Sequence, residues 1–229
     1  RTCSTASTTP ATGSSRGLRP APMATRRKEK ILLLETQMDA AMSSVRSQRL
    51  FMRELFETYG SIELVDKEVH SRADLQKFLD VARRDRQIRA VHLIAHGRRA
   101  RRKAQIVLTK SESIDLRRPA GQRLFEGLNV ECLFLSCCEL GRDHALMRRL
   151  RTVSRASAVF SYTAEIDDYQ AFLTEALFYH LAYGYVRGRL SHVDLREVYE
   201  KLKFSLDYLG IDAGKEPLVR PLLAAAFKE

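Results

Sequence analysis

No apolar stretch of this chain approaches the roughly 18 consecutive residues that a membrane-crossing helix requires. The longest runs, such as Ile31–Leu34 and Leu133–Leu135, are the size of a strand. With 229 residues, 45% of them hydrophobic, the chain is long enough for one sizeable core, so a single soluble domain is expected. Cysteine is too sparse and too awkwardly placed for a disulfide framework: Cys137 and Cys138 are adjacent, Cys132 falls on the same strand-like run, and Cys3 lies far upstream. That usage suits a reducing, cytoplasmic compartment. No Cys-x-x-Cys pair occurs, so neither a structural metal nor any other cofactor is expected. Internal repeats are absent. Residues 1–22 contain no acidic side chain and almost no large apolar one, which predicts a disordered tail or a non-native leader. Met23-Ala-Thr-Arg-Arg-Lys28 reads as a natural start, and the folded domain is expected over 23–229.

Charge is the next feature. The formal net charge is +11, and the chain stays clearly basic when Arg1, Arg16 and Arg19 are set aside. The densest cluster is Arg98, Arg99, Arg101, Arg102 and Lys103, read as a loop. Such a patch attracts an acidic peptide, a nucleic acid or an anionic surface, or is simply a solvated face. It lacks the interleaved aromatic residues on which bases stack, so nucleic acid is not expected as the main ligand.

Strand and helix signals alternate along the chain. Lys30–Glu35 reads as a strand, Met38 to Tyr59 as a helix, and Ser61–Val69 as a second strand. Ser71 and Asp74 have capping-box spacing and open a helix to about Arg84, before a third strand, Ile88–Ala95. A small hairpin is expected from Gln105–Leu108 and Ser113–Leu116, then a short helix near Gly121–Leu128. Val130–Ser136 and Ser157–Thr163 read as strands around a helix from Asp143 to about Arg151. The rest reads as helical, over Tyr169–Tyr183 and Asp194–Leu209. Repeated strand–helix units predict a mostly parallel central sheet with helices on both faces.

Two of these strands end in reactive side chains. One reads Ala90-Val-His-Leu-Ile-Ala-His96-Gly97, the other Cys132-Leu-Phe-Leu-Ser-Cys-Cys138-Glu-Leu-Gly141. Chemistry gathers at the carboxyl ends of parallel strands, and if these two strands pair, His96 and a thiol flank one cleft. His92 shares a strand face with His96, and a core position is expected for it.

An apolar strand ending in His-Gly, followed by one ending in Leu-Ser-x-Cys-Glu-x-Gly, resembles the caspase-like cysteine peptidases, most closely their CHAT group. In that group the second string commonly reads Leu-Ser-Ala-Cys-Glu-Thr-Gly, which places Cys138 as nucleophile and Cys137 in the alanine position. A looser apolar-run-then-Ser-Cys pattern selects Cys137 instead, and Glu139 and Gly141 decide for Cys138. The separation of His96 and Cys138, 42 residues, is close to the roughly 50 found in caspases. Strand Ala158–Thr163 and the helix after it extend the likeness. The family's usual tryptophan after that strand is missing, and no repeat region precedes the domain.

The resemblance implies a caspase-like three-layer α/β sandwich and a cysteine endopeptidase that cleaves a protein substrate through a thioacyl-enzyme, in a regulated signalling or defence role. It implies His96 as acid/base partner, and Gly97 and Cys138 backbone N–H groups as oxyanion hole. The helix starting near Asp143 and the basic stretch are expected to favour the thiolate. Glu165 and Asp168 are candidates for a pocket that takes a basic side chain before the scissile bond, against helix capping by Asp167 or Asp168. Expected partners are the protein substrate and a regulatory protein. The competing reading is a catalytically inactive caspase-like binding or adaptor domain whose basic face holds an acidic partner or nucleic acid.

Overall fold

The computed structural model describes residues 28–36, 47–57, 62–100, 103–184, 193–208 and 223–228. Their elements follow in the order β1 (Glu29–Thr36), α1 (Gln48–Glu57), β2 (Ile62–Val69), α2 (Arg72–Arg84), β3 (Ile88–Ile94), β4 (His96–Ala100), β5 (Lys103–Val107), β6 (Ser113–Asp115), α3 (Pro119–Gln122), β7 (Cys132–Ser136), α4 (His144–Ser154), β8 (Ala158–Tyr162), α5 (Asp168–Tyr179), α6 (Leu195–Tyr208) and β9 (Leu223–Phe227). A six-stranded sheet has the order β2-β1-β3-β7-β8-β9, and β4-β5-β6 form a second, antiparallel sheet. Strands β2, β1, β3, β7 and β8 run parallel, and β9 pairs antiparallel with β8.

Strands β1, β3 and β7 read as unbroken apolar runs because both of their faces are covered. One face packs Leu32, Val91, Leu93, Leu133 and Leu135 against Leu75 and Leu79 of α2 and Leu146 and Leu150 of α4. The other packs Ile31, Leu33, Phe134 and Phe160 against Met52 and Phe56 of α1, Phe178 of α5, and Val198 and Leu202 of α6. The result is the three-layer sandwich that the strand–helix alternation predicts. Ser71 caps α2, its hydroxyl accepting the Asp74 N–H at 3.1 Å, as the spacing predicts. No helix among the described residues is long and apolar enough to cross a membrane.

Three expectations are corrected. Arg98 and Arg99 lie not in a loop but on β4, which pairs with β5 and extends the expected hairpin to three strands. The chain does not finish as helix: the alanine-rich Leu223–Phe227, good helix-forming sequence, becomes β9 because it covers the open edge of β8. The expected helix near Gly121–Leu128 is the single turn α3 followed by a 3-10 turn, Arg123–Phe125. Helix α5 runs to Tyr179 and continues directly as a π-helix over His180–Gly184, so the helical stretch expected over Tyr169–Tyr183 is present. The tail over 1–22, the helix start over 38–46, Arg101, Arg102, Ser191 and His192 lie outside the described residues.

Candidate active site

Strands β3 and β7 are direct neighbours, with Ile94 opposite Ser136. The Ala95 N–H donates to the Ser136 carbonyl at 3.1 Å, and beyond that bond the regular pairing of the two strands ends. One turns outward into β4 at His96; the other curls through Cys137 and Cys138.

The thiol-bearing turn is held from several sides. Leu140 N–H donates to the Cys138 carbonyl at 2.8 Å, with Glu139 in the left-handed region at φ 61°. Glu139 N–H donates to the Ala164 carbonyl at 3.1 Å. The buried Ser161 hydroxyl reaches the carbonyls of Leu135 and Cys137 at 2.9 and 3.2 Å. Gly141 is required where it stands, since a Cβ there would lie 2.5 Å from the Ser161 carbonyl oxygen. Asp143 caps α4 through the Leu146 N–H at 3.0 Å and pairs with Arg117 at 2.6 Å.

The turn after β7 sends the two adjacent thiols into different surroundings. Cys137 is buried, like Cys132, while Cys138 is half-exposed with Sγ 3.9 Å from the Ile166 carbonyl. Burial pushes the Cys138 thiol pKa up, and the carboxylates of Glu165 and Glu139 push it the same way. This corrects the expectation of a favoured thiolate: burial and two nearby acids raise the pKa even though a backbone hydrogen bond to Ile166 lowers it. Cys137 is pushed up further, chiefly by full burial.

Gly97 lies against the thiol turn. A Cβ on Gly97 would sit 2.1 Å from the Cys138 oxygen and 2.7 Å from its nitrogen, so no side chain fits between the two backbones. The direction of the Gly97 N–H follows from the ladder. Leu116 N–H donates to Ala104 and Leu108 N–H to Glu112, so Ala104 and Leu108 turn their main-chain groups toward β6. Antiparallel pairing alternates, which turns Gln105 and Val107 toward β4, opposite Arg98 and His96. Gly97 and Arg99 therefore direct their N–H and C=O groups away from β5. His96, exposed, stands one residue before Gly97.

Behind this site, within the core, lies a polar cluster. Glu175 of α5 is fully buried. Its Oε1 accepts from the Ser136 hydroxyl at 2.5 Å and the Tyr162 hydroxyl at 2.9 Å, and its Oε2 accepts from Gln48 Nε2 at 2.7 Å. His92, also fully buried, places Nε2 at 3.2 Å from the same Oε2, an electrostatic contact rather than an aligned hydrogen bond. Its Nδ1 is 2.7 Å from the Tyr179 hydroxyl, and its ring stacks on Phe134. The core placement expected of His92 thus holds. His92 and His96, four residues apart, do not converge: one is enclosed in the core and the other exposed on β4. Among the described residues no group of three His, Cys, Asp or Glu side chains is arranged to hold a metal.

Of the acidic candidates, Glu165 is exposed and close enough to act on the Cys138 thiol. Asp168 is the first residue of α5, half-buried. The cap itself is Asp167, whose carboxylate accepts the Gln170 N–H at 2.8 Å. Sequence reasoning passed over Glu175, Gln48, Ser136 and Tyr162. One signal was available, a lone acid within the apolar stretch Ala171-Phe-Leu-Thr-Glu-Ala-Leu-Phe178.

No family model matches the chain, and no curated protein does. Among solved structures, it is similar to the Drosophila initiator caspase Dronc, with a TM-score of 0.52 and 10% sequence identity over 86% of this chain and 79% of that one. Likeness at that identity concerns the fold, and with the mostly parallel sheet and its flanking helices it gives the chain a caspase-like α/β sandwich.

Proposed function

We propose that this chain is a cysteine endopeptidase of CHAT type, with Cys138 as nucleophile and His96 as its acid/base partner. One observation carries the reading: the backbones of Gly97 and Cys138 meet at the carboxyl ends of two adjacent parallel strands, with His96 immediately before the glycine. Because burial holds the thiol protonated, a base must take its proton as sulfur attacks. His96 accepts that proton while Sγ bonds to the substrate carbonyl carbon. The carbonyl oxygen, now anionic, is held by the N–H groups of Gly97 and Cys138. The C–N bond then breaks, His96 returns the proton to the departing amine, and a thioacyl-enzyme remains. Water activated by His96 attacks the thioester, releasing the acid and restoring the thiol.

Glu165 and Asp168 lie just past β8, beside the strand that carries the thiol, and suit a basic side chain before the scissile bond because a buried cation needs a carboxylate. The substrate on this reading is a protein, cleaved in the cytoplasm under the control of a partner protein. The test is a peptide-library cleavage profile alongside mapping of the cysteine that iodoacetamide labels first. Cleavage with preferential labelling of Cys138 supports the reading. No cleavage with uniformly slow labelling leaves a catalytically inactive binding domain instead.

A further inference from the structure

Strand β4 begins at His96 and occupies an edge of its three-stranded sheet, with β5 as its strand partner among the described residues. The alternation of the ladder turns the main-chain groups of Gly97 and Arg99 to the opposite side of β4. On the proposed peptidase reading the Gly97 N–H is taken by the substrate oxyanion, which leaves Arg99 as the next main-chain donor and acceptor along that edge. Side chains two apart on a strand share a face, so Arg99 lies on the face where Gly97 meets Cys138. Both Arg98 and Arg99 are exposed, and neither makes an ion pair among the described residues. Arg49, Arg53, Arg83, Arg89, Arg117 and Arg142 are matched to carboxylates, whereas Arg84, Arg86, Arg123 and Arg148 resemble Arg98 and Arg99 in making no ion pair among the described residues, so what sets Arg99 apart is its place on the edge strand beside Gly97.

We infer that the free edge of β4 binds the part of the substrate that follows the scissile bond, as an added strand, and that it selects acidic residues there through Arg99. The inference rests on the peptidase reading and extends it to the leaving-group side. His96 protonates the departing amine and is also the first residue of β4, so the chain attached to that amine runs out along this strand. An extended peptide then exchanges hydrogen bonds with the Arg99 N–H and C=O, the geometry of strand addition. A glutamate or aspartate facing Arg99 satisfies a cation that has no ion-pair partner among the described residues. The acceptor of a basic residue before the bond and the donor to an acidic residue after it then stand on opposite sides of Cys138, and together they set the direction in which a substrate is threaded.

The test uses the whole chain and peptide pairs that are identical before the scissile bond and carry either glutamate or lysine at the second and third positions after it. The expected kcat/KM is about fivefold higher for the glutamate peptide, the order of one exposed ion pair, and the ratio shrinks with added salt. Arg99→Glu should invert the preference toward lysine. Methylating the peptide amide that reaches the Arg99 carbonyl should lower kcat/KM for wild type. Equal cleavage of the two peptides, or a glutamate preference that survives Arg99→Glu, overturns the inference while leaving the peptidase intact. Should no peptide be cleaved, binding decides: a short fluorescein-labelled peptide of alternating glutamate and valine should bind the Cys138→Ala protein more tightly than its lysine counterpart, and lose that advantage in Arg99→Glu. Equal binding of the two peptides overturns the docking edge as well.

Discussion

The Ser136 hydroxyl donates to the Glu175 carboxylate at 2.5 Å, fully inside the protein, and so ties the last residue of β7 to the middle of α5. Tyr162 on β8, Gln48 on α1 and His92 on β3 meet the same carboxylate. Five elements are thus gathered at one buried carboxyl group, one of them through Ser136, two residues before the candidate nucleophile. Gln48 carries the connection onward, since its N–H donates at 2.7 Å to Glu35 at the end of β1. The group is a fastening for the floor of the site, not a second reactive centre.

Replacing Glu175 with alanine should therefore be among the most destabilising single changes in the chain. It strands the donors of Ser136, Tyr162, Gln48 and His92 in the core, a loss on the order of 3–5 kcal/mol. Glutamine restores the shape but turns an N–H₂ toward donors, and should recover only part of that. Urea denaturation compares the variants; a change below about 1 kcal/mol for alanine would show that the Glu175 side chain is not the fastening point.

The two adjacent thiols should behave differently. Cys138→Ala should reduce peptide cleavage on the order of a thousandfold or more with the fold intact, whereas Cys137→Ala keeps substantial activity. Because burial and neighbouring acids raise the Cys138 pKa, its alkylation rate should still be climbing above pH 8.5, the ordinary range of a thiol. A plateau at neutral pH would show that the thiolate is favoured after all.

Gly97→Ala should be disabling although it adds one methyl group. That methyl would fall 2.1 Å from the Cys138 carbonyl oxygen, against the Cys138 backbone. Forced overpacking of this kind costs about 1–3 kcal/mol, and the shift it demands moves both N–H groups of the proposed oxyanion site. The expected signature is a fall in kcat larger than the change in melting temperature explains.

Stability should decline on the alkaline side. Burial raises the pKa of Cys132, Cys137, Tyr162, Tyr179 and Tyr183 in the folded state. Above about pH 8.5 for thiols and 10 for phenols the unfolded chain releases these protons and the folded chain keeps them, so unfolding gains about 1.4 kcal/mol per pH unit per group. Their contribution is intact at neutral pH and lost as pH rises. Melting temperatures measured from pH 7 to 11 should fall ever more steeply, and a flat profile would contradict the burial of these groups.

Charge reversal at Glu165 and Asp168 addresses the residue before the scissile bond. If these carboxylates receive a basic side chain, Glu165→Lys and Asp168→Lys should cut kcat/KM for arginine peptides about tenfold or more and spare apolar ones. Capping of α5 by Asp167 is untouched by either change, so the helix start serves as an internal control.

The strands and the two reactive strings were legible because β3 and β7 are buried on both faces and therefore uninterrupted in their apolar character. Ser71, followed by Asp74, was legible because its capping bond is local. Strand β4 was not: Arg98 and Arg99 carry no strand signal, and pairing with β5 determines their conformation. Nor was the Glu175 cluster, where Gln48 and Glu175 stand 127 residues apart in the chain. Local reasoning also misjudged the thiol, because a helix start is visible in the sequence while burial and the approach of Glu165 are consequences of folding.

Strand β9 has a bearing on the order of events during synthesis. Until Leu223–Phe227 has been translated, β8 has a bare edge, and β8 carries the Ser161 hydroxyl that holds the carbonyls of Leu135 and Cys137. The thiol turn thus depends on a segment made some sixty residues after the strand it covers. On the proposed reading, the candidate nucleophile gains its last backbone support only once β9 has been made and paired with β8.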